Sequence, residues 1–347
     1  MEPEPFAVSV IIPAFNEASR IGKAIETIRA QTEPPSEIIV IDDGSSDDTA
    51  SVAESLGARV FRQANAGPSA ARNRGIRDAA FPWVAFCDAD DLWFPKKLEL
   101  ARRAHELRPD IDFIFADHCT EIGGRVAQDS MFAVSPEFRK HLSEWIAPRV
   151  AFFERGSLAR GLAKTNFALP STVVVRRGLL LDHALFFEPG LPHDCDYLVS
   201  EDIEWYLRLL KVTDALAVDE VVVQYHRHRG SISANAGRIK YGVVKLGELV
   251  AAAPERYADG VAATFVDERR RHVRDAAISY ARALRFRDAR AKFSEAQRIA
   301  FRPADEALRW LSAGAALPGG QWFASAGRSA WRLGLKPALR ALGRRNS

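Results

Sequence analysis

The sequence predicts an α/β protein whose first ninety residues form a mainly parallel sheet flanked by helices. Short apolar runs, rich in β-branched residues and typical of buried strands, occur at Val8–Pro13, Glu37–Ile41, Ala58–Phe61 and Trp83–Phe86. Segments with the apolar spacing of helices separate these runs, as in RIGKAIETIRAQT over residues 20–32. Strands that alternate with helices through short connections form parallel, doubly wound sheets.

The pattern continues less regularly after the fourth strand. We predict a helix from Phe94 onward, a strand at Asp112–Ala116, a strand with a helix start in residues 169–182, a helix at Ser200–Lys211 and a strand at Val221–Tyr225. Residues 120–165 show no clear period, and beyond about residue 235 the composition shifts to Ala and Arg with helical periodicity. The expected organisation is one domain over residues 1–234, with halves of about 1–118 and 119–234, and a helical C-terminal region over residues 235–347.

Composition excludes several classes of protein. The 347 residues carry 48 basic and 45 acidic side chains, a net charge of +3, so the balance does not indicate nucleic-acid binding. The cysteines Cys87, Cys119 and Cys195 show no CxxC spacing, so we expect neither a disulfide framework nor a zinc site. No basic leader or long apolar run is present, and the expectation is a cytoplasmic protein.

Polar clusters follow three of the predicted strands. Asn16–Glu17, Asp42–Asp43 and Asp88–Asp90 each come directly after an apolar run. Because open α/β sheets bind ligands beyond the carboxyl ends of their strands, we expect these clusters to border one crevice.

The acidic stretch AFCDADDLWFP has two interpretations, a capped helix start or a site for a divalent cation. For Asp91 we favour the cap of the helix that follows. Asp88 and Asp90, spaced i, i+2 in a segment expected to be extended, would point to one side and could share a cation. Asp-x-Asp alone is a weak motif, so both interpretations stay open for this pair.

Other candidates also have a structural alternative. Asp42 and Asp43 could accept hydrogen bonds from a base or ribose, or could form a turn and cap with Gly44. Phe15 could stack on a nucleobase or belong to the core, and Arg72 and Arg74 could meet phosphate or face water.

The segment Ser200–Glu201–Asp202 opens a predicted helix. It is explained equally well as a capped acidic helix start and as a source of a general base, with Asp202 the candidate and Glu201 the fallback. His226 and His228 flank Arg227 after a strand; we expect them to alternate sides, with at most one facing a ligand, or to form a solvated basic loop.

Taken together and in this order, the motifs VSVIIPAFNE, IIVIDDGSSDDT, NAGPSAARNRGI, FCDADDLW and SEDIEWYLRL closely resemble those of the family 2 glycosyltransferases of the GT-A fold, over about residues 7–232. The resemblance implies an inverting transfer of a sugar from a nucleotide-sugar, with a UDP-sugar expected, to an acceptor hydroxyl. It also implies a Mg²⁺ or Mn²⁺ ion. A cation shared by aspartate and the diphosphate would stabilise the leaving group, and in-line attack would invert the anomeric carbon.

The resemblance also assigns expected roles to residues. Those for nucleotide-sugar binding are Pro13, Phe15, Glu17, Asp42, Asp43, Arg72, Asp88 and Ala89; those for the metal are Asp90, Asp88 and His228; those for catalysis are Asp202 as base and Glu201. Thr172, His193 and Asp194 are candidate acceptor contacts. The chain has QYHRHRGSIS where many family members carry Q-x-x-R-W, and no apolar span. We therefore expect one sugar to be added to a lipid-linked or cell-surface glycan.

Two other functions compete with this interpretation. A sugar nucleotidyltransferase would also use carboxylates and Mg²⁺, but such enzymes usually carry a Gly-rich basic phosphate loop where this chain has PAFNEAS. A non-catalytic nucleotide-binding scaffold would have no use for both a metal pair and a base.

The C-terminal region offers two further segments. Residues 272–301 resemble a tetratricopeptide-like helix pair, for which packing on the catalytic domain is the simpler interpretation. Residues 325–347 contain basic but no acidic side chains interleaved with Trp331 and leucines. They predict either contact with an anionic membrane, on the inner face of the plasma membrane, or a solvated basic tail.

Overall fold

The computed structural model describes residues 5–188, 201–228 and 246–265. The chain divides into two compact units, one of residues 1–191, 201–231 and 253–261 and one of residues 192–200, 232–252 and 262–347. In the second unit, residues 246–252 and 262–265 are helical. The candidate residues His193 and Asp194, the helix pair at 272–301 and the basic tail at 325–347 lie outside the described residues, and the division at residue 234 stays a prediction.

The first half of the sheet is formed by four parallel strands in the order β3-β2-β1-β4. They are β1 (Val8–Ala14), β2 (Glu37–Asp42), β3 (Arg59–Arg62) and β4 (Trp83–Phe86). The intervening helices are α1 (Ile21–Arg29), α2 (Thr49–Ser55) and α3 (Gly67–Asp78). All seven residues of β1 are buried, because this strand lies between two neighbours with both faces covered.

The remaining elements are shorter on average. They are β5 (Leu92–Trp93), α4 (Lys97–Leu107), β6 (Phe113–Ile122), β7 (Arg125–Gln128), α5 (Met131–Val134), α6 (Pro136–His141), β8 (Glu144–Ala147), β9 (Val150–Phe153), α7 (Arg155–Leu162), β10 (Val174–Arg176), α8 (Arg177–Asp182), α9 (Glu201–Leu209) and β11 (Ala215–Arg227), with 3-10 turns at Pro170–Thr172 and Pro254–Arg256.

The strand β10 extends the sheet beyond β4. It runs antiparallel between β4 and β6, and β11 then pairs with β6 in parallel. The described strands thus form one sheet in the order β3-β2-β1-β4-β10-β6-β11-β9-β8, with β5 paired to β11 and β7 to β6. The predicted α/β class with a mainly parallel sheet is confirmed.

Two strands are longer than predicted. The strand β6 continues past Ala116 to Ile122, and β11 begins at Ala215 instead of Val221. Polar residues such as Asp117 and His118 interrupt the apolar run in β6. The two strands are paired along their length, so their mutual hydrogen bonds carry the extended conformation through these positions. In residues 120–165 the elements are too short for a period to be visible.

Helix α9 is anchored in the core by aromatic packing. Trp205 stacks on Phe187 with ring centroids 4.5 Å apart, and its indole Nε1–H donates to the carbonyl of Leu185 at 2.8 Å. Phe86, the last residue of β4, meets the Trp205 ring edge-on. The head of α9 therefore lies beside the carboxyl end of β4. In the described part of the chain, no helix has the length and apolarity that crossing a bilayer requires.

Candidate active site

The loops after β1 and β2 are tied together by hydrogen bonds. The backbone N–H of Asn16 donates to Ser45 Oγ at 2.9 Å, and that of Glu17 donates to Thr49 Oγ1 at 2.8 Å. Phe15 projects from this junction with 47% of its surface exposed. A ring so exposed is not a core residue, so the core alternative for Phe15 is wrong and the ring is accessible to a ligand.

The two aspartates after β2 have different surroundings. Asp43 accepts from the backbone N–H groups of Ala66 and Gly67, at 2.9 and 2.7 Å, and from Gln63 Nε2 at 2.8 Å. It thereby supplies the cap at the start of α3. Asp42 accepts from the backbone N–H of Ser45 at 3.0 Å. The turn that follows uses Gly44 at a φ of +81°, as the glycine predicts.

Arg72 of α3 connects the end of β4 with the head of α9. Its guanidinium donates to Asp88 Oδ1 at 2.8 Å and to Glu201 Oε1 at 3.3 Å, and the side chain is almost fully buried. Burial alone would lower the pKa of Arg72, but the charges of Asp88 and Glu201 outweigh it and raise that pKa. A permanently charged guanidinium thus links two carboxylates that are 113 positions apart in sequence.

Residues 88–91 form a turn, which corrects the extended geometry predicted for the Asp-x-Asp pair. The backbone N–H of Asp91 donates to the carbonyl of Asp88 at 3.0 Å. Asp90 Oδ2 lies 3.2 Å from Nε2 of His228. Burial, followed by repulsion from Asp88 and Glu17, raises the pKa of Asp90. The neighbours of Asp90 therefore compensate the charge of its ionised form poorly.

The prediction that Asp91 caps a helix is wrong. Helix α4 begins only at Lys97, and Asp91 is fully buried, accepting from Ser171 Oγ at 2.5 Å and from the backbone N–H of His226 at 3.1 Å. Five residues, including the short strand β5, separate the aspartate from the helix. Burial, followed by repulsion from Asp88 and Asp90, raises the pKa of Asp91 well above its usual range.

Asp202 is the second residue of α9 and is partly buried. Its Oδ2 accepts from Asn166 Nδ2 at 2.7 Å, and its Oδ1 accepts from the backbone N–H of Ile203 at 2.8 Å. Burial and the nearby charge of Glu201 raise the pKa of Asp202 to about 7. A carboxyl group with this pKa exchanges protons readily near neutral pH, which is what a general base requires.

A buried ion pair anchors the helix behind these acidic residues. Arg208 donates to both carboxylate oxygens of Glu204, at 2.8 and 2.7 Å, and Tyr257 donates its hydroxyl to Glu204 Oε1 at 3.1 Å. Arg208 also donates to the carbonyl of Phe186 at 2.7 Å. Because Glu204, Arg208 and Tyr257 are all buried, α9 has little freedom to move Asp202 relative to the sheet.

Comparison with known proteins finds a matching family model and similar sequences. The profile described as "Glycosyl transferase family 2" matches residues 9–162. The succinoglycan biosynthesis protein ExoU of Rhizobium meliloti is 32% identical over 215 residues, 59% of this chain and 57% of that protein. The residues that the profile matches are less than half of the chain, which is thus similar to family 2 glycosyltransferases.

Another curated relative extends the match further along the chain. The uncharacterized glycosyltransferase YibD of Escherichia coli is 30% identical over 234 residues, 65% of this chain and 63% of YibD. An uncharacterized glycosyltransferase of Rickettsia felis is 41% identical over 113 residues, 31% of this chain and 18% of that protein. The chain thus spans less than two thirds of the length of each of these relatives.

Solved structures share the fold at low sequence identity. The crystal structure of S. aureus TarS 1-349 in complex with UDP-GlcNAc has a TM-score of 0.59 at 18% identity, covering 96% of this chain and 92% of that one. The mannosyltransferase PcManGT from Pyrobaculum calidifontis, in complex with GDP-Man and Mn²⁺, has a TM-score of 0.51 at 19% identity, covering 96% and 85%. These likenesses establish the GT-A fold.

The acidic turn after β4 suits a cation that a phosphate-bearing ligand would help to bind. Among the residues that the structure describes, no three His, Cys, Asp or Glu side chains are arranged to hold a metal ion. Asp90 and His228 are adjacent, whereas Asp88 is engaged by Arg72. Mg²⁺ is commonly bound by one or two carboxylates together with substrate phosphates, so the poorly compensated charge of Asp90 fits such a site.

Some predicted contacts are placed differently by the fold. Thr172 is 1% exposed and donates to the carbonyl of Leu169 at 2.7 Å, so it is not available to an acceptor. His226 near the end of β11 and His228 just beyond that end lie on the same side, with rings 5.6 Å apart, which corrects the expectation that they alternate sides. His226 pairs with Glu121. Pro13 lies buried within β1, and Ala89 is buried in the turn after β4.

Sequence reasoning missed three polar residues at this site. Asn166 and Ser171 contact Asp202 and Asp91, and Arg20 pairs with Glu17 at 2.6 Å. Asn166 and Ser171 lie in the segment NFALPST, where three polar side chains beside an apolar run are the available signal. Nothing local connects that segment with acidic residues tens of positions away, and only the fold brings them together.

Proposed function

We propose that the chain transfers a sugar from a nucleotide-sugar, a UDP-sugar in the first instance, to an acceptor hydroxyl with inversion of the anomeric carbon. The observation that carries the proposal is the link made by Arg72 between Asp88 and Glu201. It sets the acidic turn after β4, expected to meet the donor, beside the helix head that bears Asp202.

The transfer is a single displacement. Asp202 takes the proton of the acceptor hydroxyl while the acceptor oxygen attacks the anomeric carbon in line with the leaving group. The bond between the anomeric carbon and the diphosphate oxygen breaks, and its electron pair departs with the nucleoside diphosphate. A base with a pKa of about 7 is half ionised at neutral pH, so it can accept this proton during turnover.

The donor is held by the strand ends. Phe15 offers an exposed ring to a nucleobase, and Asp42, Asp43 and Asp88 stand near the nucleoside in this proposal, with Glu17 close by. Asp90 and His228 would hold a Mg²⁺ or Mn²⁺ ion together with the diphosphate. When bound, such an ion stabilises the negative charge of the leaving diphosphate. Arg72, being buried, supports the donor site by fixing Asp88.

The relatives favour a glycan as acceptor. ExoU is named for succinoglycan biosynthesis, and the TarS and PcManGT structures hold UDP-GlcNAc and GDP-Man. By analogy, this chain acts in the assembly of a cell-surface polysaccharide or glycolipid. The basic residues 325–347 would bring it to an anionic membrane surface carrying the acceptor.

A thermal-shift screen tests the donor. Purified protein is heated with UDP-, GDP-, CMP- and dTDP-sugars, with and without Mn²⁺, because a ligand of the native state raises the melting temperature. We expect one nucleotide class to stabilise the protein in a metal-dependent way, and Asp90→Ala to abolish the metal dependence. If no nucleotide-sugar raises the melting temperature, the proposal is wrong and a scaffold role gains support.

Vesicle sedimentation tests the membrane contact. The full chain should sediment with vesicles of anionic lipid at low salt, and removal of residues 325–347 should release it. Equal sedimentation of the full and the shortened chain would eliminate this part of the proposal.

A further inference from the structure

The segment that joins α7 to β10, residues 163–173, contacts two acidic groups of the site. Ser171 Oγ donates to Asp91 Oδ2 at 2.5 Å and accepts from the backbone N–H of Asp88 at 3.0 Å. Five positions earlier, Asn166 Nδ2 donates to Asp202 Oδ2 at 2.7 Å. One short segment thus fixes the turn after β4 at one end and touches the proposed base at the other.

The orientation of the Asn166 amide is determined by its second hydrogen bond. The backbone N–H of Ala168 donates to Asn166 Oδ1 at 3.2 Å, which directs the side-chain NH₂ toward Asp202. The flipped amide would place its NH₂ group against the Ala168 N–H and its oxygen against the Asp202 carboxylate, and neither pair could form a hydrogen bond. Asn166 is therefore a donor to Asp202 in the folded protein.

We propose that Asn166 is a positioning residue of the transfer reaction, whose amide holds the Asp202 carboxylate in the orientation that receives the acceptor proton. This inference rests on the proposed function. Each carboxylate oxygen has two lone pairs, so the oxygens that accept from Asn166 and from the Ile203 N–H retain capacity for the acceptor hydroxyl.

The hydrogen bond also affects the charge of Asp202. The charged and titratable groups facing this carboxyl are Glu201 and Tyr206 on α9 and Arg72 on α3. Burial and Glu201 raise the pKa of Asp202, whereas the Asn166 N–H and Arg72 favour its ionised form. Loss of the amide should therefore leave less of the base ionised at a given pH.

The first test is the pH profile of kcat for Asn166→Ala and Asn166→Asp, with Thr165→Val as a control that leaves the Asn166–Asp202 hydrogen bond in place. At pH 6 we expect kcat of Asn166→Ala to be about tenfold below wild type, from loss of a charge-assisted hydrogen bond. The midpoint of the profile should rise in Asn166→Ala and rise further in Asn166→Asp, where a second carboxyl competes for protons. A fall in kcat that is equal at every pH, with an unchanged midpoint, overturns the inference.

The second test needs no catalytic activity. The carboxyl carbon of Asp202 is followed by NMR during a pH titration and assigned by its absence in Asp202→Asn. We expect it to titrate at higher pH in Asn166→Ala than in wild type and unchanged in Thr165→Val. An active Asn166→Ala protein with the wild-type titration midpoint contradicts this inference alone, whereas a wild-type protein that binds and transfers no sugar contradicts the proposed function.

Discussion

The end of β2 and the head of α9 each carry two adjacent acidic residues, and the protein compensates their charges differently. Asp43 accepts three hydrogen bonds, two of them from the backbone at the start of α3. Asp202 accepts one from a side chain and one from its own helix, beside the charge of Glu201. Two adjacent acidic residues therefore yield a carboxylate held by three donors in one place and a carboxyl group with a raised pKa in the other.

The difference lies in what surrounds each carboxylate. Backbone N–H groups at a helix start are fixed donors that hold the Asp43 carboxylate in one position. A partly buried carboxylate beside a like charge instead exchanges its proton near neutral pH. The role of two adjacent acidic residues is thus ambiguous until the hydrogen-bond donors around them are known. Four variants or conditions test this contrast between Asp43 and Asp202.

The largest expected effect is on turnover. Asp202→Asn should lower kcat by about 10²- to 10⁴-fold, because general base catalysis contributes about that much. Donor affinity, measured by the ligand-induced rise in melting temperature, should stay within a few-fold of wild type. Retention of most activity would show that Asp202 is not the general base and that its role, like that of Asp43, is structural.

The pH dependence follows from the raised pKa of Asp202. Since the base acts when ionised, kcat of the wild-type enzyme should fall about tenfold per pH unit below pH 7 and level off above it. The free energy of unfolding changes with pH in the opposite direction. Because Asp202 binds its proton more tightly in the folded state than in the unfolded chain, its contribution to stability falls as pH rises from about 4 to 7. A pH-independent kcat between 5 and 8 would contradict this assignment.

Arg72 tests whether the two acidic regions depend on each other. Arg72→Met should lower the free energy of unfolding by about 2–3 kcal/mol, less than for a fully buried pair because Asp88 is about one-third exposed. It should weaken donor binding and turnover together. The control is Arg77→Met on the exposed side of the same helix. Loss of donor binding alone, or of turnover alone, would show that the two acidic regions act independently of each other.

The smallest expected effect concerns the structural aspartate. Asp43→Asn should lower the free energy of unfolding by about 1–3 kcal/mol. Both oxygens of Asp43 accept from backbone N–H groups at the start of α3, and the NH₂ group of asparagine would face one of these donors without forming a hydrogen bond. Asp48→Asn, at an exposed position nearby, should stay within about 0.5 kcal/mol of wild type in denaturant unfolding. Equal stability of the two variants would contradict the role given to Asp43.

The first half of the predicted domain, about residues 1–118, was accessible from the sequence because its signals are local. A buried strand, a polar turn and a helix follow each other within about thirty residues, and parallel strands must end at one edge. That reasoning placed the polar residues after β1, β2 and β4, and it predicted a turn at Gly44, which the structure forms with a positive φ. It misjudged Asp91, since a helix cap and a buried carboxylate have the same local pattern.

The sequence by itself determined the α/β class, the polar residues that follow β1, β2 and β4, and the acidic start of α9. Only the tertiary structure decided the partner of each carboxylate. It pairs Arg72 with Asp88 and Glu201, and it places the donors Ser171 and Asn166 beside Asp91 and Asp202. The physical reason is that periodicity records which face of an element is buried, whereas the pKa of a buried group depends on donors and charges that come from distant parts of the chain.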